Sequence, residues 1–294
     1  MILQFATRLS FFLFIGCLLS ACSTNPYALT NKSYKKQVKT YARTLRAIPF
    51  NKPEEDSLMP GDYWVGTTNF NMRKANFVVI HHTAQNATTQ TLKTFTVPKT
   101  QVSAHYVIGR DGKVYHMLND YLRAWHGGVS KWGNNTDLNS SSIGIELDNN
   151  GFEPFPETQI NSLLQVLALL KKNHNIPTAN FIGHSDIAPL RKTDPNAMFP
   201  WQQLADNGYG LWYDEIVPDT IIVQDSSGLA LDTIMHYNLP EFNPTEALRI
   251  IGYDTKDLGA AIRAFKLHFV QKDITPVLTD EDKRILYSLY KKYL

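Results

Sequence analysis

Cysteine is nearly absent from this chain. Of its 294 residues only Cys17 and Cys22 are cysteines, both in the first 22 positions. Nothing beyond Cys22 can form a disulfide or a thiolate metal site, so any metal in the body must be held by histidine and carboxylate. An excess of one charge is also missing: 29 Lys and Arg face 27 Asp and Glu, a formal net charge of +2. That balance gives no electrostatic footprint for nucleic acid, and none is expected as a partner. The 16 Gly and 15 Pro follow no period, which excludes fibrous and solenoid architectures. One apolar run stands out, Leu9–Leu19, shorter than the roughly 20 residues of a membrane span. Hydrophobic content of 43% and this length suffice for one substantial core with a smaller satellite.

Arg8 precedes that apolar run, and together they describe a secretory signal over residues 1–21. It ends in Leu19-Ser20-Ala21-Cys22, which resembles a bacterial lipobox. The resemblance implies that Cys22 is lipidated, becomes the first mature residue, and anchors the chain to a membrane through its acyl chains. Ser23 in place of Asp implies sorting to the outer membrane, on its periplasmic face. Residues 22–61 are polar and basic (Lys32, Lys35, Lys36, Lys39, Arg43, Arg46) and read as a tether, with a short helix over roughly 33–46.

The body is expected over 62–215. Asn76–His81 reads as a fully buried strand and Thr88–Val97 as a helix. Ala104–Ile108 and Lys113–Leu118 flank Gly109-Arg110-Asp111-Gly112, a hairpin signal. Ser142–Asp148 is a further strand. Ile160, Leu163, Leu164, Leu167 and Leu170 recur at helical spacing and predict a helix over 157–174, followed by a short strand at Asn180–His184. Strands interleaved with helices give an α/β layered core, a mixed central sheet flanked by helices. A linker is expected at 216–239. Over 240–294, Ala247–Ile251, an apolar stripe through 257–270 and the capping box Thr279–Asp282 predict three short helices. A bundle this small is marginal alone and is expected to dock on the main domain.

Of nine histidines, context singles out two places. At Val78-Val79-Ile80-His81-His82-Thr83 a buried strand emerges. Neighbours on a strand face opposite ways, so His81 and His82 cannot bind one metal together; periodicity leaves open which is the ligand. The segment from His184 to Asp194 gathers one His, two Asp, Arg191 and Lys192 just after a strand, with Gly183 and Pro189 fixing its backbone. Neutral imidazoles with a carboxylate suit Zn²⁺ and leave a position for water. In Ser142–Leu147, Ile143, Ile145 and Leu147 share one face, which puts Glu146 on the other beside Gly144. A partly desolvated Glu near such a site is a natural general base, because burial raises its pKa.

Several motifs in this order resemble the zinc-dependent N-acetylmuramoyl-L-alanine amidases related to peptidoglycan recognition proteins. They are Val79–Ala84, Val102–Tyr106, Ala124–Gly127, Ser142–Leu147, His184–Pro189 and Arg191–Pro195 leading to Phe199–Gln202. The likeness runs from about residue 62 to 212 and is nearest to an outer-membrane lipoprotein branch. It implies one zinc per chain on His81, His184 and Asp194, Glu146 as general base, and Lys192 as the cation that steadies an oxyanion. It also places His82, Thr83, Trp125 and His126 at the substrate, and implies peptidoglycan or muropeptides as partner of a monomer. The C-terminal helices resemble a three-helix peptidoglycan-binding domain, chiefly over Ala260–Phe265.

Overall fold

The computed structural model describes residues 25–46, 67–214, 219–224, 230–236 and 239–294. The expected signal (1–21), Cys22 and the later part of the tether (47–61) lie outside them. Two compact units are present, Met1–Phe70 and Asn71–Leu294. In the first, α1 spans Ala28–Arg46, beginning several residues before the predicted start, and buries none of its side chains.

The second unit is built on a five-stranded sheet. Its strands are β1 (Phe77–His82), β2 (Tyr106–Ile108), β3 (Val114–His116), β4 (Ser142–Leu147) and β5 (Phe181–Gly183). They lie in the order β3-β2-β4-β1-β5. β1 runs parallel to both β4 and β5, β2 runs parallel to β4, and only β2 and β3 are antiparallel. The predicted hairpin turn joins that last pair, and Gly109 N donates to Lys113 O at 2.9 Å. Gly112 takes φ +78° there and packs so closely on Thr158 O that a Cβ would lie 2.9 Å from it. Two separate constraints therefore demand glycine.

Each face of the sheet has its own apolar partner. Val78 and Ile80 of β1 join Ile143, Ile145 and Leu147 of β4 under α4 (Glu157–His174). Ile160, Leu163, Leu167 and Leu170 of α4, all predicted as its buried stripe, are almost fully enclosed; each such side chain stabilises the fold by about 1.5–3 kcal/mol relative to exposure. The opposite face presents Val79 and Ile182, and it is covered by the C-terminal helices.

Those helices are α7 (Pro244–Ile251), α8 (Leu258–Phe265) and α9 (Asp280–Tyr293), numbered after α2 (Thr88–Thr96), α3 (Leu138–Ser141), α5 (His184–Ile187) and α6 (Trp201–Asp206). Leu248, Ile251, Phe265, Leu286 and Leu289 share one buried cluster with Val79, Trp132, Ile182 and Ile187. The three helices thus complete the core of the sheet. The capping box closes as the sequence predicts, with Thr279 N donating to Asp282 Oδ2 at 2.8 Å and Asp282 N to Thr279 Oγ1 at 3.2 Å. Within the segment expected as a linker, β6 (Asp219–Gln224) and β7 (Ala230–His236) pair as an antiparallel ribbon.

Candidate metal centre

Register brings the site together. β1 and β4 align His81 with Glu146, so the two side chains stand next to each other on the face opposite α4. β5 ends at Gly183 and the chain turns directly into α5, which puts His184 at the same edge of the sheet. Asp194 returns to this turn, where Ser185 N donates to its carbonyl at 2.8 Å.

His81 Nδ1 lies 2.9 Å from His184 Nδ1 and 3.3 Å from Asp194 Oδ2, and His184 Nδ1 lies 3.0 Å from that same oxygen. All three residues are buried, and among the described residues they form a group able to hold a metal ion. A tetrahedral ion with bonds of about 2.0–2.1 Å holds its ligand atoms on the order of 3.3 Å apart, matching this spacing.

The direction of the hydrogen bonds supports the same fit. Ser142 Oγ donates to the carbonyl of Leu138, so it must accept from His126 Nε2, 3.2 Å away. His126 Nδ1 is then unprotonated and accepts from His81 Nε2 at 3.1 Å. That leaves a lone pair on His81 Nδ1, facing the cluster. His184 Nε2 similarly donates to Gly127 O at 3.3 Å, turning its own Nδ1 lone pair inward. Two backbone carbonyls therefore aim two imidazole lone pairs at the Asp194 carboxylate's position, an arrangement that calls for a cation.

Titration agrees. Burial lowers the His81 pKa to about 4, with His184 adding to the effect and Asp194 opposing it; the ring is neutral and free to ligate. Burial works to raise the Asp194 pKa, but the closely placed His184 and His81 rings outweigh it and hold the carboxyl well below the usual range. Burial and the nearby Asp194 charge push Glu146 up to about 8 against the pull of Lys192. Glu146 Oε2 is enclosed and has no hydrogen-bond partner. A buried carboxylate oxygen left this way needs a further group in the site, and a divalent cation would draw its pKa back down.

A groove of about 380 Å³ opens on this cluster. His82, Thr83, Trp125, His126, Glu146, Lys192 and Asp194 all line it. His82 faces away from His81 and accepts from Asn196 N at 3.2 Å. The Thr83 hydroxyl fastens the end of β1 to Asn149 O at 3.2 Å, while Trp125 is half exposed. His126 is enclosed, and both its ring nitrogens are engaged by His81 and Ser142.

Sequence reasoning overlooked the residues behind the metal cluster. Asn139 Oδ1 accepts from His126 N and Gly127 N at 3.0 and 2.8 Å, fixing the loop that holds His126. Ser142 had a signal, since it lies two and four residues before Gly144 and Glu146 on the same strand face. Gly144 leaves room for the His126 ring; a Cβ there would sit 2.4 Å from its Cγ. Asp186 is the other hidden support. Its carboxylate accepts from Gly183 N at 2.6 Å and Tyr253 Oη at 2.8 Å, and contacts His268 Nδ1 at 2.7 Å. His268 is stacked on Trp201 with ring centres 3.8 Å apart. Two C-terminal residues thus brace the turn that bears His184, a link between segments too distant in sequence to read.

Fold and site define an α/β protein with a buried two-histidine, one-carboxylate centre at the edge of parallel strands and an unpaired glutamate beside it. The N-acetylmuramoyl-L-alanine amidase family model matches residues 71–197. The chain is 33% identical to the N-acetylmuramoyl-L-alanine amidase AmiD of Escherichia coli over 238 residues, 74% of this chain and 82% of AmiD. It therefore belongs to the N-acetylmuramoyl-L-alanine amidase family. The 1,6-anhydro-N-acetylmuramyl-L-alanine amidase AmpD of Haemophilus influenzae is 38% identical over 104 residues, 35% of this chain and 56% of AmpD. Among solved structures, the complex of E. coli AmiD with its substrate anhydro-N-acetylmuramic acid-L-Ala-D-γ-Glu-L-Lys superposes with a TM-score of 0.62 at 28% identity, covering 79% of this chain and 96% of AmiD. AmpDh3 of Pseudomonas aeruginosa gives a TM-score of 0.63 at 29% identity, covering 80% and 98%.

Proposed function

We propose that this chain is a zinc-dependent N-acetylmuramoyl-L-alanine amidase of peptidoglycan recycling, hydrolysing the amide between the lactyl group of muramic acid and L-alanine. The observation that carries the reading is the convergence of His81, His184 and Asp194 beside the unpaired Glu146 oxygen. The relatives solved with anhydro-muropeptides, AmiD and AmpDh3, support a peptidoglycan fragment as the ligand of the groove.

His81, His184 and Asp194 would hold the zinc ion, which supplies Lewis acidity and lowers the pKa of water at the site toward about 7. Glu146 takes a proton from the attacking water and returns it to the departing L-alanine nitrogen, a role suited to a carboxyl whose pKa burial has raised. Lys192, on the same groove, offers positive charge to the oxyanion of the addition step, where a well-aimed group contributes about 3–4 kcal/mol. The Ser142–His126 pair keeps His81 in the tautomer that directs Nδ1 inward. His82, Thr83 and the exposed side of Trp125 form the walls that receive the muropeptide. Acylation at Cys22, supported by the lipobox-like Leu19–Cys22, would place the enzyme on the periplasmic face of the outer membrane.

Mass spectrometry of the products from a defined muropeptide, with and without chelator, tests the reaction. Release of an intact peptide beginning with L-alanine, lost on chelation and restored by zinc, is expected. Cleavage within the stem peptide, or turnover indifferent to chelation, would overturn the assignment.

A further inference from the structure

The N-terminal helix α1 has two faces of different chemistry. Tyr34, Val38, Tyr41 and Leu45 recur at spacings of four, three and four residues and form one apolar stripe. Lys32, Lys35, Lys36, Lys39, Arg43 and Arg46 gather on another side of the helix. No Asp or Glu precedes Glu54, so these six cations have no acidic neighbour along their own segment. Their charge exceeds the net +2 of the whole chain, which means that the basic character is concentrated in this helix. None of its side chains is buried; Leu45 is 77% exposed and Tyr41 48%.

Among the described residues no helix is long and apolar enough to cross a membrane, and six cations would forbid it for this one. A helix with an apolar stripe, a row of Lys and Arg and low overall hydrophobicity instead lies in the plane of a lipid surface. Tyrosines suit that position, with the ring at the acyl boundary and the hydroxyl in water. Lysines and arginines reach the phosphates while their methylene stems cover the boundary. The charge is complementary to anionic phospholipid and to no zwitterionic one.

The geometry points to α1 as a peripheral membrane-binding helix that docks on an anionic phospholipid surface. This attachment does not depend on acylation of Cys22. Lying flat, the 19 helical residues would span about 28 Å, against roughly 63–68 Å if extended.

The chain from Ser23 to Leu294, unacylated because it lacks Cys22, tests this by co-sedimentation with vesicles. Binding to phosphatidylglycerol mixed with phosphatidylcholine is expected, with none to phosphatidylcholine alone. Each Lys or Arg near such a surface contributes roughly a five-fold gain, so K32Q with K36Q and R43Q should weaken partitioning on the order of 100-fold. V38D with L45D should abolish it, and neither variant should move the melting transition of the body. A Y41W reporter should shift its emission to the blue on anionic vesicles. Equal binding to both lipids, binding unchanged by these substitutions, or no binding would overturn the proposal. A dimer lost in V38D/L45D, with no vesicle binding, would assign the stripe to a second copy of the chain instead.

Discussion

Gly144→Ala is the most incisive single test of how the candidate metal centre is built. The added Cβ would lie 2.4 Å from His126 Cγ and 2.7 Å from both Cδ2 and Nδ1, where carbon contacts normally settle at about 3.5–4.0 Å. The ring would have to retreat by roughly 1 Å to relieve this. It has nowhere to go without loss, because its nitrogens are held by His81 at 3.1 Å and Ser142 at 3.2 Å and its backbone N–H by Asn139. An ångström of displacement takes both ring bonds beyond hydrogen-bonding distance. Overpacking of this kind costs about 1–3 kcal/mol, and each of the two lost bonds adds about 1 kcal/mol, so a loss of roughly 3–5 kcal/mol is expected. Freed from His126, His81 should also bind metal about 10–100-fold more weakly. Urea denaturation of the apoprotein measures the first effect and zinc titration against a competing chelator the second. Adding His126→Ala to Gly144→Ala should recover part of the stability and none of the zinc affinity. A Gly144→Ala chain with wild-type stability and zinc affinity would refute the relay from Leu138 through Ser142 and His126 to His81.

Glu146→Gln should reduce muropeptide turnover by about 10²–10⁴-fold while leaving zinc affinity intact and stability unchanged or higher, since it removes a buried, unpaired carboxylate; turnover within ten-fold of wild type, read by product chromatography, would exclude Glu146 as the base. Tyr253→Phe strips Asp186 Oδ1 of its 2.8 Å donor and should cost about 1–3 kcal/mol in denaturant unfolding; a variant as stable as wild type would mean the C-terminal helices do not brace the His184 turn. Asp120 gives a pH signature. Burial tends to raise its pKa, but His116, Tyr106 and His174 bind it and bring it from 3.8 down to about 2. A depressed carboxyl stabilises the fold above its unfolded pKa, and the contribution fades as pH falls from about 4 through about 2. The side chain is only 15% exposed, so the contribution is roughly 2 kcal/mol. Asp120→Asn should show that deficit at neutral pH, and its gap to wild type should close on acidification; a gap that persists at pH 2 would refute the assignment.

Much of this protein is legible in its sequence because periodicity and residue chemistry are local. The buried run Val78–Ile80, the stripe of α4 and the Thr279–Asp282 box each carry their structure within a few residues. The near-absence of cysteine restricted the metal set to His and carboxylate, and the alternation of β4 placed Glu146 across from the apolar core. What alternation could not decide was which of His81 and His82 faces the cluster. Only the alignment of β1 with β4 and β5 answers that, because it sets His81 next to Glu146 and close to His184. The purpose of Gly144 was equally hidden, since the ring that fills its missing side chain comes from residue 126. The C-terminal helices showed their apolar faces plainly, but a stripe does not name its partner; packing alone joined them to Val79 and carried Tyr253 and His268 to Asp186. Hydrogen bonds and ring contacts act over a few ångströms in space regardless of separation along the chain, so the supports of the candidate metal centre exist only once the chain has folded.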